Sequence, residues 1–241
     1  MRVVIFLFFC SLGQLAFPLA LSGQSGQLYG TIPAVLLRGN LKPFDYAFSL
    51  SSEINAISRT LGDRTFPAEV LNLNLESALA YDPNPNLNLA AAFLYRIRNP
   101  FSGRGIELRP WQQATLINRL DKYRLRNRLR LEERWVGSTD EGVDFDLRLR
   151  YRLSTDFPLE GERLDIREFY LNLSTETLFT LTAVQPLFYW ESRTYVGLGY
   201  QLHVKKRLEF AFDFRSRKID SLGNRRHTLF LRLLFIADLS N

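Results

Sequence analysis

From Tyr123 to Trp135 every second residue is charged. Arg124, Arg126, Arg128, Arg130, Glu132 and Arg134 interleave with the mostly apolar set Tyr123, Leu125, Asn127, Leu129, Leu131, Glu133 and Trp135. Successive side chains of a strand point to opposite faces, so a period of two places the arginines on one side and the leucines on the other. Wound as a helix, Tyr123, Leu125, Leu131 and Trp135 would scatter about the axis and no apolar stripe would form. The beat returns at Val143 to Leu153, where Val143, Phe145, Leu147, Leu149, Tyr151 and Leu153 alternate with Asp144, Asp146, Arg148, Arg150 and Arg152. It returns once more where Leu208, Phe210, Phe212 and Phe214 alternate with Glu209, Asp213, Arg215 and Arg217. Each ribbon carries one charged and one apolar face.

Periodicity alone does not say which face is inside. A soluble barrel buries the apolar face, whereas an outer-membrane barrel shows it to lipid and turns the charged face inward. The start of the chain bears on the choice. Arg2 precedes the apolar run Val3 to Leu12, and a second apolar patch ends in the small residues Ala20, Ser22 and Gly23, which reads as a secretory signal peptide over residues 1–22. The competing reading is a retained anchor, since Val3 to Leu21 is nearly long enough to span a bilayer, but Gly13, Gln14 and Pro18 weaken it as a helix. The single cysteine, Cys10, follows Leu7, Phe8 and Phe9 rather than the small residues that precede a lipidated cysteine. Cleavage after Ser22 would leave neither a disulfide nor a thiolate metal site.

Without residues 1–22 the chain holds 30 basic and 25 acidic residues, a net charge of +5. The arginines share strand faces with Asp and Glu instead of forming a basic patch with stacking aromatics, so nucleic acid is not an expected partner. Neither a Pro/Gly/Ser-rich linker nor a solenoid repeat divides the chain. One domain is expected: residues 23–40 as a periplasmic N-terminal segment, 41–237 as the barrel and 238–241 as a tail.

Ten strands are expected, near Phe44 to Asn55, Glu69 to Tyr81, Asn86 to Arg98, Gly105 to Asn118, Lys122 to Trp135, Val143 to Ser154, Glu162 to Leu173, Phe188 to Leu202, Arg207 to Arg217 and Arg226 to Ala237. Most exceed the usual length of about 5 to 6 residues and approach the roughly 9 to 11 that cross a bilayer at a tilt. Short connections at Asp82 to Pro85, Arg119 to Asp121 and His203 to Lys206 alternate with longer ones, as the turns and loops of such barrels do; only Thr155 to Gly161 blurs the order. The expected fold is all-β, a single antiparallel transmembrane β-barrel with both ends on the periplasmic side. Thr177 to Val184 is apolar enough to add a strand, which keeps a count of twelve open. The alternation slips at Trp111 and at Glu168, where a bulge would restore it. Tyr81, Tyr95, Trp135, Tyr151, Trp190, Tyr195 and Tyr200 sit toward strand ends, where interfacial girdles are expected.

The stretch Glu107-Leu108-Arg109-Pro110-Trp111-Gln112-Gln113, followed by Arg126 to Trp135, resembles an uncharacterised family of Gram-negative outer-membrane barrel proteins, catalogued as a domain of unknown function. Leu147 to Leu153, Glu168-Phe169-Tyr170 and Ser192 to Tyr200 fit it as well. The resemblance spans about Phe44 to Phe235. It implies a β-barrel integral to the cell outer membrane, and it brings no catalytic residues with it. The chain departs from such barrels at its end, where Phe235 is followed by Ile236 to Asn241 instead of a terminal aromatic.

An enzyme needs a nucleophile, a base and an orienting group. Outside residues 1–22 there are two histidines, His203 in an expected turn and His227 at the far end of the last strand. His227 with Ser221 or Ser216 is the one pairing worth inspecting, no metal-ligand spacing appears, and neither catalysis nor a cofactor is expected. Gly197-Leu198-Gly199 lacks the following helix that a phosphate loop requires, and glycines on an inward face relieve crowding instead.

The charged face is the functional lead. Arg124, Arg126, Arg128, Arg130, Arg134, Arg148, Arg150, Arg152, Arg163, Arg167, Arg193, Arg215 and Arg217 are expected to line the lumen with Glu132, Asp144, Asp146, Asp165, Glu209 and Asp213. Two outcomes follow: a narrow anion-tolerant pore, passing a small anionic solute because arginine exceeds acid, or a plugged network that makes the barrel a scaffold. Surface loops offer a third, a binding module. A lipid-modifying enzyme is the remaining alternative. The partners expected throughout are outer-membrane lipid and the barrel-assembly machinery.

Overall fold

The computed structural model describes residues 25–61, 64–103, 105–120, 123–138, 142–161, 164–182, 189–218 and 225–240. The proposed signal peptide, Cys10, Arg163 and Ser221 lie outside them. The strands are β1 (Ser25–Leu41), β2 (Phe44–Asn55), β3 (Arg59–Leu61), β4 (Arg64–Phe66), β5 (Glu69–Asn84), β6 (Leu87–Arg98) and β7 (Gly105–Leu120). They continue with β8 (Tyr123–Ser138), β9 (Val143–Pro158), β10 (Phe169–Thr180), β11 (Tyr189–His203), β12 (Lys206–Lys218) and β13 (Arg225–Asp238). Eleven of them close a barrel in the order β1-β13-β12-β11-β10-β9-β8-β7-β6-β5-β2, while β3 and β4 form a separate hairpin at one rim.

The count is eleven, not the expected ten or twelve, and the extra strand is β1, drawn from the residues expected to precede the barrel. Sequence alternation hides it because both of its faces are largely apolar. Leu28, Gly30, Ile32 and Ala34 point inward, and Tyr29, Pro33, Val35 and Leu37 point outward. β1 runs antiparallel to β2 but parallel to β13, from Ser25 opposite Arg225 to Arg38 opposite Asp238. An odd number of strands sends the two ends to opposite rims, which overturns the expectation of a shared side. Ser25 stands at the rim of the longer loops, and Asp238 at the rim of the turns Lys42-Pro43, Pro85-Asn86 and Val204-Lys205.

β10 also differs from expectation. It begins at Phe169; of the residues expected to start the strand, 162 and 163 lie outside the described residues, and 164–168 hold a turn in which Arg167 has φ 68° and donates its N–H to the Gln201 carbonyl at 2.7 Å. The Glu168 carboxylate accepts the Asp165 N–H at 2.9 Å. Glu168 thus precedes the strand, and no bulge is needed to explain it. Of the stretch Thr177 to Val184, Thr177 to Thr180 are the end of β10 rather than an added strand, and residues 183 and 184 lie outside the described residues.

At Trp111 the β6–β7 register runs unbroken from Leu87 opposite Leu116 to Arg98 opposite Gly105. The β7–β8 ladder lapses only at Arg109 and Pro110, where proline has no N–H to give, and resumes in the same register. No bulge occurs: Trp111 faces inward.

The wall is apolar outside and charged inside. Leu129 is 51% exposed and Phe212 48%, whereas Glu132 on the opposite face of β8 is 0% exposed. Outward aromatics pair across strands near both rims: Phe44 with Tyr81 and Phe169 with Tyr200 at the turn rim, Trp135 with Phe145 at the loop rim. Tyr195 departs from the expected girdle, for it is buried inside against Glu209. The glycines of Gly197-Leu198-Gly199 face inward and relieve crowding there. A Cβ on Gly199 would strike the Tyr170 ring, and Gly30 likewise makes room for the Phe230 ring.

Candidate functional site

Cross-strand register builds the interior. Arg124, Arg126, Arg128, Arg130, Glu132 and Arg134 of β8 stand opposite Asp156, Ser154, Arg152, Arg150, Arg148 and Asp146 of β9. Two of these pairs, Arg128 with Arg152 and Arg130 with Arg150, are like-charged and would repel. Carboxylates of β8 itself and of β10 resolve them. Glu132 lies 2.6 Å from Arg150 and 3.8 Å from both Arg109 and Arg130, and it also pairs with Arg148. Glu176 of β10 lies 2.5 Å from both Arg128 and Arg150. Glu107 of β7 gathers Arg109 at 2.5 Å, Arg134 at 2.7 Å and Arg96 at 3.5 Å. Glu132, Glu107, Glu176, Arg109, Arg130, Arg148 and Arg150 are all buried.

Trp111 is part of this layer: its indole N–H donates to Glu76 at 3.1 Å, and the Arg130 guanidinium stacks 3.6 Å from the ring centroid. Further round, Arg215 joins Asp213 at 2.9 Å to Glu53 at 2.8 Å. Toward the turn rim the buried Glu209 accepts hydrogen bonds from the Tyr195 hydroxyl and from Asn172 Nδ2 at 3.1 Å. Packed side chains therefore occupy the middle of the barrel.

Space remains at the two rims. A cavity of about 430 Å³ opens at the loop rim, between Arg98, Arg217 and Arg226 at the strand ends and a floor that includes Leu28, Leu178 and Phe230. Eight arginines and five carboxylates (Glu53, Glu69, Glu107, Asp146 and Glu191) line it. Phe66, the last residue of β4, and Pro67 after it line part of it, held by Asn55 Nδ2, which donates to the Pro67 carbonyl at 2.5 Å. A second cavity of about 280 Å³ lies at the turn rim among Arg38, Asp45, Ala47, Ala78, Ala80 and Asp238.

Most of the arginines and acids expected on one face do share the inner one, including Arg152, Arg193, Glu209, Asp213, Arg215 and Arg217. Arg124 and Asp144 sit at strand ends and are exposed. Asp165 and Arg167 do not line the lumen, because the turn before β10 carries them out to the rim, where both are exposed. Sequence reasoning missed Glu53, Glu76, Arg96, Glu107, Arg109 and Glu176. Reading Trp111 as inward would have put Glu107 and Arg109 on the charged face.

Ser216 and His227 are cross-strand partners on the outward phase, and both are buried. His227 stacks on Phe214 with centroids 5.7 Å apart, and Ser216 accepts a hydrogen bond from Arg225 at 3.4 Å. The His227 Nδ1 has no hydrogen-bond partner among the described residues, so the pair lacks the nucleophile–base and base–orienter contacts of an activated serine. Among the described residues no group of three or more His, Cys, Asp or Glu side chains could hold a metal ion.

Fold and site together define a closed, all-β barrel with a charged, largely filled interior. Residues 37–227 match the family described as "Protein of unknown function (DUF2490)", and the chain belongs to that family. The match covers β2 to β12 and leaves out most of β1 and β13, the two strands that close the barrel. Neither a curated protein nor a solved structure matches the chain.

Proposed function

We propose that this protein is an integral outer-membrane β-barrel, delivered by a cleaved signal peptide and inserted by the barrel-assembly machinery, whose interior is closed and whose role is non-catalytic. The observation that carries the reading is the inverted polarity of the wall. Leu50, Leu129, Phe145, Val196 and Phe212 are exposed on the outside of a closed barrel whose inside buries Glu107, Glu132 and Arg150. A soluble protein rarely exposes a contiguous apolar patch beyond a few hundred Å², and this one girdles the barrel. In lipid the same surface is matched, and the closed hydrogen-bonded ring leaves no open edge.

By the rule that short turns face the periplasm, the loop rim with its cavity and its β3–β4 hairpin faces outward, as a surface-presenting scaffold would. Fractionation tests the address: the protein should partition with the outer membrane and migrate more slowly on gels after boiling. Recovery as a freely soluble protein without detergent would overturn the membrane reading.

A narrow anion-tolerant pore is the second reading, favoured by the arginine excess around the loop-rim cavity. The buried state of Glu132, Glu107, Glu176 and Arg150 at mid-barrel favours closure over it, because a water-filled lumen would leave such side chains accessible.

A further inference from the structure

The half of the lumen that opens at the turn rim is divided by chemistry. A barrel interior is polar as a rule, but on one sector of this one Leu234 and Ile236 of β13, Leu36 of β1, Ala47 of β2 and Ala78 and Ala80 of β5 face inward and are only half-buried. The register joins Ile236 to Leu36 and Ala47 to Ala78. The small side chains leave room: the cavity of about 280 Å³ lies against Ala47, Ala78 and Ala80. That volume is close to the roughly 300 Å³ at which small-molecule sites begin.

Above this patch, toward mid-barrel, the lining turns cationic. Arg152 of β9 and Arg232 of β13 approach closely enough to repel, although three strands separate them in the wall. Arg232 makes no hydrogen bond or ion pair among the described residues, and of the Arg152 guanidinium only Nη2 is engaged, at 2.9 Å from Ser174 Oγ. The Nε atoms of both are sealed in the wall, so the accessible atoms are Nη1 of Arg152 and both Nη of Arg232. The carboxylates within electrostatic reach are engaged, Glu176 by Arg128 and Arg150 and Asp213 by Arg215. Nearer the rim Arg207 lies 5.7 Å from the centroid of the Tyr170 ring, with no carboxylate at ion-pair distance among the described residues.

We propose that the turn-rim half of the lumen binds a long-chain aliphatic carboxylate, a fatty acid in its chemistry, with its head between Arg152 and Arg232 and its chain along Leu234, Ile236 and Leu36 toward the cavity at Ala78. The carboxylate accepts charge-assisted hydrogen bonds from two guanidiniums that otherwise repel, and the alkyl chain takes apolar wall out of water. From Arg232 to Asp238 at the rim the strand rises roughly 20 Å, about the extended length of a long fatty acid. The side chains that fill mid-barrel close the far end, which makes this a binding site and not a passage. Every group it uses is inside the barrel, so the proposal stands or falls apart from the membrane reading.

The test uses the full chain in nanodiscs of neutral phosphatidylcholine, with hexadecanoate isotope-labelled at its carboxyl as the probe, hexadecan-1-ol as the uncharged comparison and empty nanodiscs as the reference for partition into lipid. A saturable carboxyl resonance distinct from that of empty nanodiscs is expected, displaced by unlabelled hexadecanoate and at least about tenfold less well by hexadecan-1-ol, since hydrogen bonds to charged groups contribute on that order. Arg152→Gln and Arg232→Gln, which break no ion pair, should each weaken binding by about tenfold. Ala78→Phe should weaken it by filling the room the chain needs, and Arg98→Gln at the loop rim should leave it unchanged. No resonance beyond that of empty nanodiscs, equal displacement by the alcohol, or indifference to both Arg152→Gln and Arg232→Gln in protein that keeps its β circular dichroism would each refute the site. So would undiminished binding by Ala78→Phe, or a loss on Arg98→Gln as large as on Arg232→Gln.

Discussion

One Arg150 guanidinium joins Glu132 at 2.6 Å to Glu176 at 2.5 Å, so a single side chain of β9 ties together the strands on either side of it. Ion pairs this deeply buried add little net stability over well-packed apolar residues, yet removing one partner strands the others. Glu132→Gln would leave Arg109, Arg130, Arg148 and Arg150 short of a carboxylate and is expected to cost about 3 to 5 kcal/mol. Asp146→Asn removes a partner whose side chain is 34% exposed, and the loss should stay within about 1 kcal/mol. Denaturant unfolding of both variants in one detergent measures the difference, and equal losses would contradict a dry network.

The outer face makes the opposite demand. Leu129→Arg or Phe212→Arg should lower folding stability in lipid bilayers by about 2 to 4 kcal/mol if these side chains lie near the midplane. Refolding titrations into vesicles give the number. A cost no larger than that of a loop substitution such as Ser102→Arg would mean that this face does not meet lipid.

In planar bilayers the inserted wild-type protein is expected to be silent. Changing Arg126 and Arg150 together to Glu should reduce stability without producing current, since the acids then repel Glu132, Glu176 and Asp156. Replacing Arg130, Glu132 and Arg150 by Ala removes the bulk that fills mid-barrel and should open a small conductance. A steady anion-preferring current from the wild type would restore the pore.

Close packing at glycine is testable separately. Gly199→Val drives a side chain into the Tyr170 ring and Gly30→Val into the Ile54 carbonyl and the Phe230 ring, and each should cost at least about 1 to 3 kcal/mol. Gly142→Ala meets open space and should be neutral. Thermal or denaturant midpoints compare the three.

The strands that could be read from sequence are those whose two faces differ in chemistry. β8, β9 and β12 alternate charge with hydrocarbon, and their inner faces follow from that alone. β1 escaped because Leu28, Ile32 and Ala34 on its inner face are as apolar as Val35 and Leu37 on the outer one. β10 was placed too early because Ser174, Thr175, Glu176 and Thr177 are polar on both faces and mark no phase, so Glu176, one of the central carboxylates, went unassigned. Glu107 and Arg109 were lost to an assumption about Trp111: a tryptophan inside a charged lumen looks like a change of phase until the arginine stacked on it is seen. Long-range partnerships such as Arg215 with Glu53 depend on barrel closure, and no local pattern encodes them.

The parallel seam between β1 and β13, fastened at one end by Arg38 and Asp238, 200 positions apart, limits how the chain can be rewired. An even-stranded barrel can be cut in a loop and resealed between its old ends with a short hairpin. Here a linker from Asp238 to Ser25 would have to travel the full height of the wall, through a packed interior or across its apolar exterior, so circular permutation should fail with any short connector. The seam also delays completion. One edge of β1 has no partner until β13 docks against it, so every partly assembled barrel is an open ribbon with an unpaired margin.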